Sequence, residues 1–191
     1  MTTESPGVGP LGRDEVVAAV LEAAAELFAD RGPAATSIRD IAARSKVNHG
    51  LVFRHLGSKD KLVGAVLDHL GQRLEELIDA GAPVEIIDVA LDRQVRVLAR
   101  VLLDGYPAGE LQSTFPNMAR LVDEFRGRYD DELQARLAVA NTIALQLGWR
   151  LMGPFLRSAL ELGDLPEEQV AAAIDAAAGR LIEPDRDAPL D

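Results

Sequence analysis

Between residues 31 and 61 the chain carries seven cations, Arg31, Arg39, Arg44, Lys46, Arg54, Lys59 and Lys61, against two anions, Asp40 and Asp60. The whole chain has a net charge of −11, so this stretch is a basic island of +5 in an acidic protein. Two of its three histidines, His49 and His55, lie in the same stretch. A guanidinium can pair bidentately with guanine O6 and N7, and any cation attracts phosphate. A local basic footprint counts for more with a polyanion than the sign of the total charge. The chemistry on offer is recognition of nucleic acid. Bond-making chemistry has little to draw on. There is no cysteine, hence no disulfide, thiol nucleophile or cysteine zinc site. Only His69 lies outside the basic stretch, so a nucleophile would lack its usual base. No Asp/Glu pair stands in a recognisable catalytic motif, and neither a cofactor nor a metal site is expected.

Two short helices must hold these cations. Ile38, Ile41 and Ala42 share helical spacing, with Ser37 placed as a cap and Asp40 three residues on, the pattern of a capping box. That predicts a helix over about 37 to 44. After the break at Ser45, Lys46 and Val47, Asn48 is a good N-cap for a second helix whose apolar side is Val52, Phe53 and Leu56. An earlier helix, capped by Asp14 and stopped at Gly32 and Pro33, offers Val17, Val20, Leu21, Ala24, Leu27 and Phe28 as its packing stripe. Ser58 caps a fourth helix reaching about Ala80, with Val63, Val66, Leu67, Leu70 and Leu74 along one side.

The order helix, tight turn, helix resembles the N-terminal DNA-binding domain of the TetR family of transcriptional regulators. The likeness starts near Val16 and runs through the segment from Leu27 to Gly32. It continues through Ser37-Ile38-Arg39-Asp40-Ile41-Ala42 and Val47-Asn48-His49-Gly50 to Leu62. The resemblance implies that the second helix of the motif enters the major groove. Arg39, His49, Gly50, Arg54 and His55 would then reach base edges. Thr36, Ser37, Lys46, Lys59 and the backbone N–H groups at the helix starts, including that following Asn48, would hold phosphates. Three positions depart from the family pattern. Lys46 replaces the usual turn glycine, Leu51 a small residue or threonine, and Phe53 a phosphate-binding tyrosine. Lys46 is expected to take a left-handed backbone at a cost of about 1 kcal/mol.

Residues 62 to 191 hold 12 cations and 23 anions. A fifth helix is expected from Val84 to before Gly105, a loop or short helix to Pro116, and a sixth over about 117 to 127. A long segment over 130 to 162, apolar on two stripes, is expected to kink or divide at Gly153 and Pro154. A last helix should be opened by Asp164, Pro166 and Glu167. The resemblance implies that this part binds a small effector and dimerises through its last two helices. Phe115, Met118, Phe125, Trp149, Met152 and Phe155 are candidates to line the pocket, with Asn141 and Gln146 orienting the ligand, alongside Asn117, Thr142 and Arg150. Leu156, Leu160, Val170, Ala173, Ile174, Ala177 and Leu181 are candidates for the dimer seam.

Hydrophobic residues make up 48% of the chain, but no apolar run approaches the roughly 20 residues a membrane helix needs. No signal pattern opens the sequence, so a cytoplasmic protein is expected. The expectation is an all-α protein: a disordered leader over 1–12, a helix-turn-helix domain over 13–61, a ligand-binding and dimerisation bundle over 62–183, and a frayed tail over 184–191. Its expected partners are double-stranded operator DNA, a small-molecule effector and a second copy of itself. Alternatives are a helical interaction module that binds another acidic partner and a small carboxylate-dependent enzyme.

Overall fold

The computed structural model describes residues 12–183. The expected tail, and the expected leader apart from Gly12, lie outside them. Every regular element among the described residues is helical: α1 (Arg13–Arg31), α2 (Ile38–Ser45), α3 (His49–Leu56), α4 (Lys59–Asp79), α5 (Val84–Leu103), α6 (Ala108–Leu111), α7 (Pro116–Phe125), a 3-10 turn (Arg126–Arg128), α8 (Glu132–Ala159) and α9 (Glu167–Ile182). The helices fall into two compact units, residues 1–114 and 115–191. The functional boundary expected after residue 61 is not where compactness changes, because α4 and α5 pack with helices of the first three and α6 packs on α4 and α5.

In the first unit, Val20, Ala24 and Phe28 of α1 recur every four residues and are completely covered or nearly so. They meet Ile41 of α2, Val52 of α3, Leu62, Val63 and Val66 of α4, and Val97 and Val101 of α5. Each large apolar side chain taken out of water here contributes about 1.5 to 3 kcal/mol, so one core holds both short helices in place. Polar ties add direction. Arg93 on α5 donates to Glu22 on α1 at 2.5 Å, and His69 on α4 lies 3.5 Å from the same carboxylate. Burial alone would raise the pKa of Glu22, but its hydrogen bonds and charge interactions with Arg93 and His69 hold it below the ordinary value. On α4, Asp68 accepts from the backbone N–H groups of Ser113 and Thr114, both at 2.9 Å. A Cβ at Gly64 would stand 2.1 Å from the carbonyl oxygen of Leu111, so glycine permits α6 to lie against the α4 backbone.

Helix α1 starts differently from the expectation. Its N-cap is Gly12, whose N–H donates to the Glu15 carboxylate at 2.9 Å, and Asp14 lies within the first turn. Glycine has no side chain to return the bond, so only half of a capping box exists.

In the second unit, α8 turns Ala135, Ala138, Val139, Thr142 and Gly153 inward, and α9 turns Ala178 and Ile182. Helix α8 continues through Pro154 as one element, so the division that was one of the two expected outcomes does not occur. The proline forgoes one helical hydrogen bond, which packing along the rest of a 28-residue helix tolerates. Asp164 does not cap α9. Pro166 occupies the N-cap with no side-chain bond, while Arg157 closes the preceding loop by donating to the carbonyls of Gly163 and Leu165. Along α8, Leu133, Leu137, Leu151 and Phe155 stay exposed, so one expected stripe is left largely uncovered among the described residues.

Candidate nucleic-acid interface

Helices α2 and α3 are each only eight residues long, too short to persist alone, and their ends are fixed by side-chain caps. Ser37 Oγ accepts from the Asp40 N–H at 3.1 Å, and the Asp40 carboxylate accepts from the Ser37 N–H at 2.8 Å. The backbone and hydroxyl bonds from Ser37, with Arg31 3.0 Å away, depress the Asp40 pKa below the ordinary aspartate value. The turn between the helices is made by Lys46 at φ 56 and ψ 27, the left-handed conformation expected of it. Asn48 Oδ1 then accepts from the Gly50 N–H at 2.8 Å and opens α3, and the Ser58 hydroxyl accepts from the Lys61 N–H to open α4.

Val52 is the one fully buried side chain of α3 and anchors it to the core. At about 100° per residue, Gly50 and Arg54 lie opposite Val52, with Leu51 and Phe53 flanking them. Arg54, His49 and Gly50 are exposed, as is Arg39 on α2; His55 is half-buried. Phe53 is 62% exposed, an apolar ring left largely in solvent.

The seven cations divide in two. Arg31 pairs with Asp40, and Arg44 with Glu26 at 2.6 Å, so these two brace the motif. No ion pair among the described residues engages Arg39, Lys46, Arg54, Lys59 or Lys61, whose charges are left for an outside anion. Lys61 was not among the nominated contacts; its place one turn from the Ser58 cap adds it to the unpaired set. Thr36 departs from its expected role. It is 1% exposed and its hydroxyl donates to the Gly32 carbonyl at 2.8 Å, so it braces the turn before α2 and has no hydroxyl free for a phosphate. Ser37 is exposed, but its hydroxyl already serves Asp40.

The expected ligand residues are not gathered in one place. A cavity of about 230 Å³ in the second unit is lined by Leu121, Phe125, Val139, Thr142, Ile143, Gln146, Ala178, Gly179 and Ile182. Of the nominated residues it takes Phe125, Thr142 and Gln146. Phe115, Met118, Asn141, Met152 and Phe155 are exposed, and Trp149 is half-buried. Of the nominated seam, Leu160, Ala173 and Leu181 are exposed, while Leu156, Val170, Ile174 and Ala177 are half-buried. Among the described residues there is no metal-binding cluster and no helix long and apolar enough to cross a membrane.

Residues 20–66 match the family described as bacterial regulatory proteins, tetR family. The chain is 62% identical over 175 residues to the HTH-type transcriptional repressor Rv3405c of Mycobacterium tuberculosis, covering 92% of this chain and 93% of that one. It is 37% identical over 90 residues to the HTH-type transcriptional repressor KstR2 of Mycolicibacterium smegmatis, which covers 44% of this chain and 42% of that one. Among solved structures, a TetR variant from Acinetobacter baumannii in complex with minocycline is 24% identical, with 90% and 91% of the chains covered and a TM-score of 0.48. The capped helix pair, its unpaired cations and the likeness along nearly the full length agree: the chain belongs to the TetR family of DNA-binding transcriptional regulators.

Proposed function

We propose that the protein is a homodimeric repressor that binds a pseudo-palindromic operator and is released from it by a small apolar effector. The observation that carries the DNA-binding part is the outward face of α3, where Arg54 and Gly50 stand opposite the buried Val52; Arg54, like the exposed Arg39 of α2, is in no ion pair among the described residues. Arg39, His49, Gly50, Arg54 and His55 read base edges, and Lys46, Lys59 and the backbone N–H groups of Ile38 and His49, which directly follow the caps Ser37 and Asn48, hold phosphates. Repression is supported by the repressor name of the 62% identical relative.

A two-fold dimer presents two identical reading helices, and its operator then repeats its half-site with inverted sense. The exposed apolar residues of α8 and α9, among them Leu137, Phe155, Leu160 and Leu181, support the dimer, because a second copy would cover them. Selection of genomic fragments by the purified chain tests the proposal. The expected product is an inverted repeat upstream of a gene whose expression rises when the protein is removed. Fragments without a shared sequence would sink it.

A further inference from the structure

Thr142 lies in the middle of α8, is 9% exposed, and its Oγ1 has no hydrogen-bond partner among the described residues. A threonine inside a helix usually returns its hydroxyl to the carbonyl four residues back. Leaving it unbonded in an apolar setting costs about 1 to 3 kcal/mol. The same residue lines the 230 Å³ cavity, whose walls are otherwise largely hydrocarbon: Leu121, Phe125, Val139, Ile143 and Ile182. Gln146, one turn further along α8, supplies the other side-chain polar group.

We infer that this cavity is a ligand site in which Thr142 anchors the single polar group of a small, uncharged, otherwise apolar molecule. The inference rests on the effector reading above and narrows it. Size follows from volume. A cavity of about 150 Å³ accepts benzene, so one half again as large suits roughly nine to twelve non-hydrogen atoms. The absence of charge follows from the lining, which contains no ionic side chain to offset the desolvation of an ion. The polar group is a hydroxyl, carbonyl or amide, because the Thr142 hydroxyl can both donate and accept. The site lies among α7, α8 and α9 and takes in Phe125, Thr142 and Gln146 of the sequence candidates, while Met118, Met152 and Phe155 are exposed outside it.

The test uses two probes of equal size, 2-phenylethanol and propylbenzene, titrated calorimetrically into the full chain and two variants. Thr142→Val keeps the shape and removes the hydroxyl, and should weaken 2-phenylethanol about fivefold while leaving propylbenzene unchanged. It should also melt no lower than the parent, since an unbonded hydroxyl is gone. Ala178→Leu fills the cavity and should abolish both. The site is overturned if neither probe binds at its solubility limit, if Thr142→Val shifts both probes alike or neither, or if Ala178→Leu binds as the parent does. An unrelated compound that released DNA equally from parent and Thr142→Val chains would leave the effector reading intact while removing Thr142 from it.

Discussion

Asp104, the C-cap of α5, accepts a 2.7 Å hydrogen bond from the backbone N–H of Ala34, in the turn that leads into α2. A Cβ at Gly32, which has φ +80, would stand 2.6 Å from the same carboxylate, so glycine is required there both for its backbone and for the room it leaves. The base of the DNA-reading motif is thus tied to a helix 70 residues away in sequence. Asp104→Ala should cost about 1 kcal/mol of stability, read as a lower urea midpoint with an unchanged slope. An unaltered midpoint would show that the contact contributes nothing.

Asp40 gives α2 a pH dependence of known sign. Its folded pKa is depressed by the Ser37 bonds and Arg31. The stability it adds is therefore complete above the ordinary aspartate value near 4 and lost as pH falls through the lower folded value. Asp40→Asn should remove that dependence. The gap in melting temperature between parent and variant should narrow as pH drops from about 7 to about 3. A gap that stayed constant would mean that the charge of Asp40 plays no part.

The features legible in the sequence were the local ones. The Ser37 and Asp40 capping box, the Asn48 and Ser58 caps and the left-handed Lys46 each depend on residues within three or four positions, and all were expected. The failures came where distant packing chose between local options. Helix α1 used Gly12 and Glu15 in place of Asp14, and α9 began after Pro166 without help from Asp164. Thr36 resembled a surface hydroxyl until the Gly32 turn folded over it. The partnerships of Glu22, Glu26, Asp68 and Asp104 span between 18 and 71 residues and leave no periodic trace. The cavity was legible only in part for the same reason, with Phe125, Thr142 and Gln146 nominated and its other walls not. Its wall on α9, Ala178 and Ile182, is selected by the way α9 meets α8, whereas the nomination followed aromatic residues.

Among the free cations, base-reading and phosphate-holding roles predict different mutant behaviour. Arg39→Ala and Arg54→Ala should each weaken binding to the selected operator by about 1 to 3 kcal/mol and relax preference at one base position. Lys59→Ala should weaken all duplexes alike and lower the slope of log affinity against log salt by about 1. Mobility shifts over a salt series, with matched operator variants, separate the two. Arginine variants with wild-type affinity and preference would mean that other residues read the bases.

Ala173 is exposed on α9, so Ala173→Glu places a charge in the proposed seam without disturbing the single chain. Two copies of that carboxylate would be desolvated without partners. Sedimentation should show monomers with the parent's helical content. A soluble dimer would place the seam elsewhere. Ile174→Asp tests the same seam less cleanly, since Ile174 is half-buried in the chain.

The outward face of α3 should select a DNA sequence. Fluorescence anisotropy at one fixed salt concentration, comparing the selected operator with a duplex of shuffled sequence and equal composition, addresses it most directly. The operator should bind at least about 10³ times more tightly than the shuffled duplex. Equal affinities, falling together as salt rises, would contradict it and leave only a basic patch that attracts any polyanion.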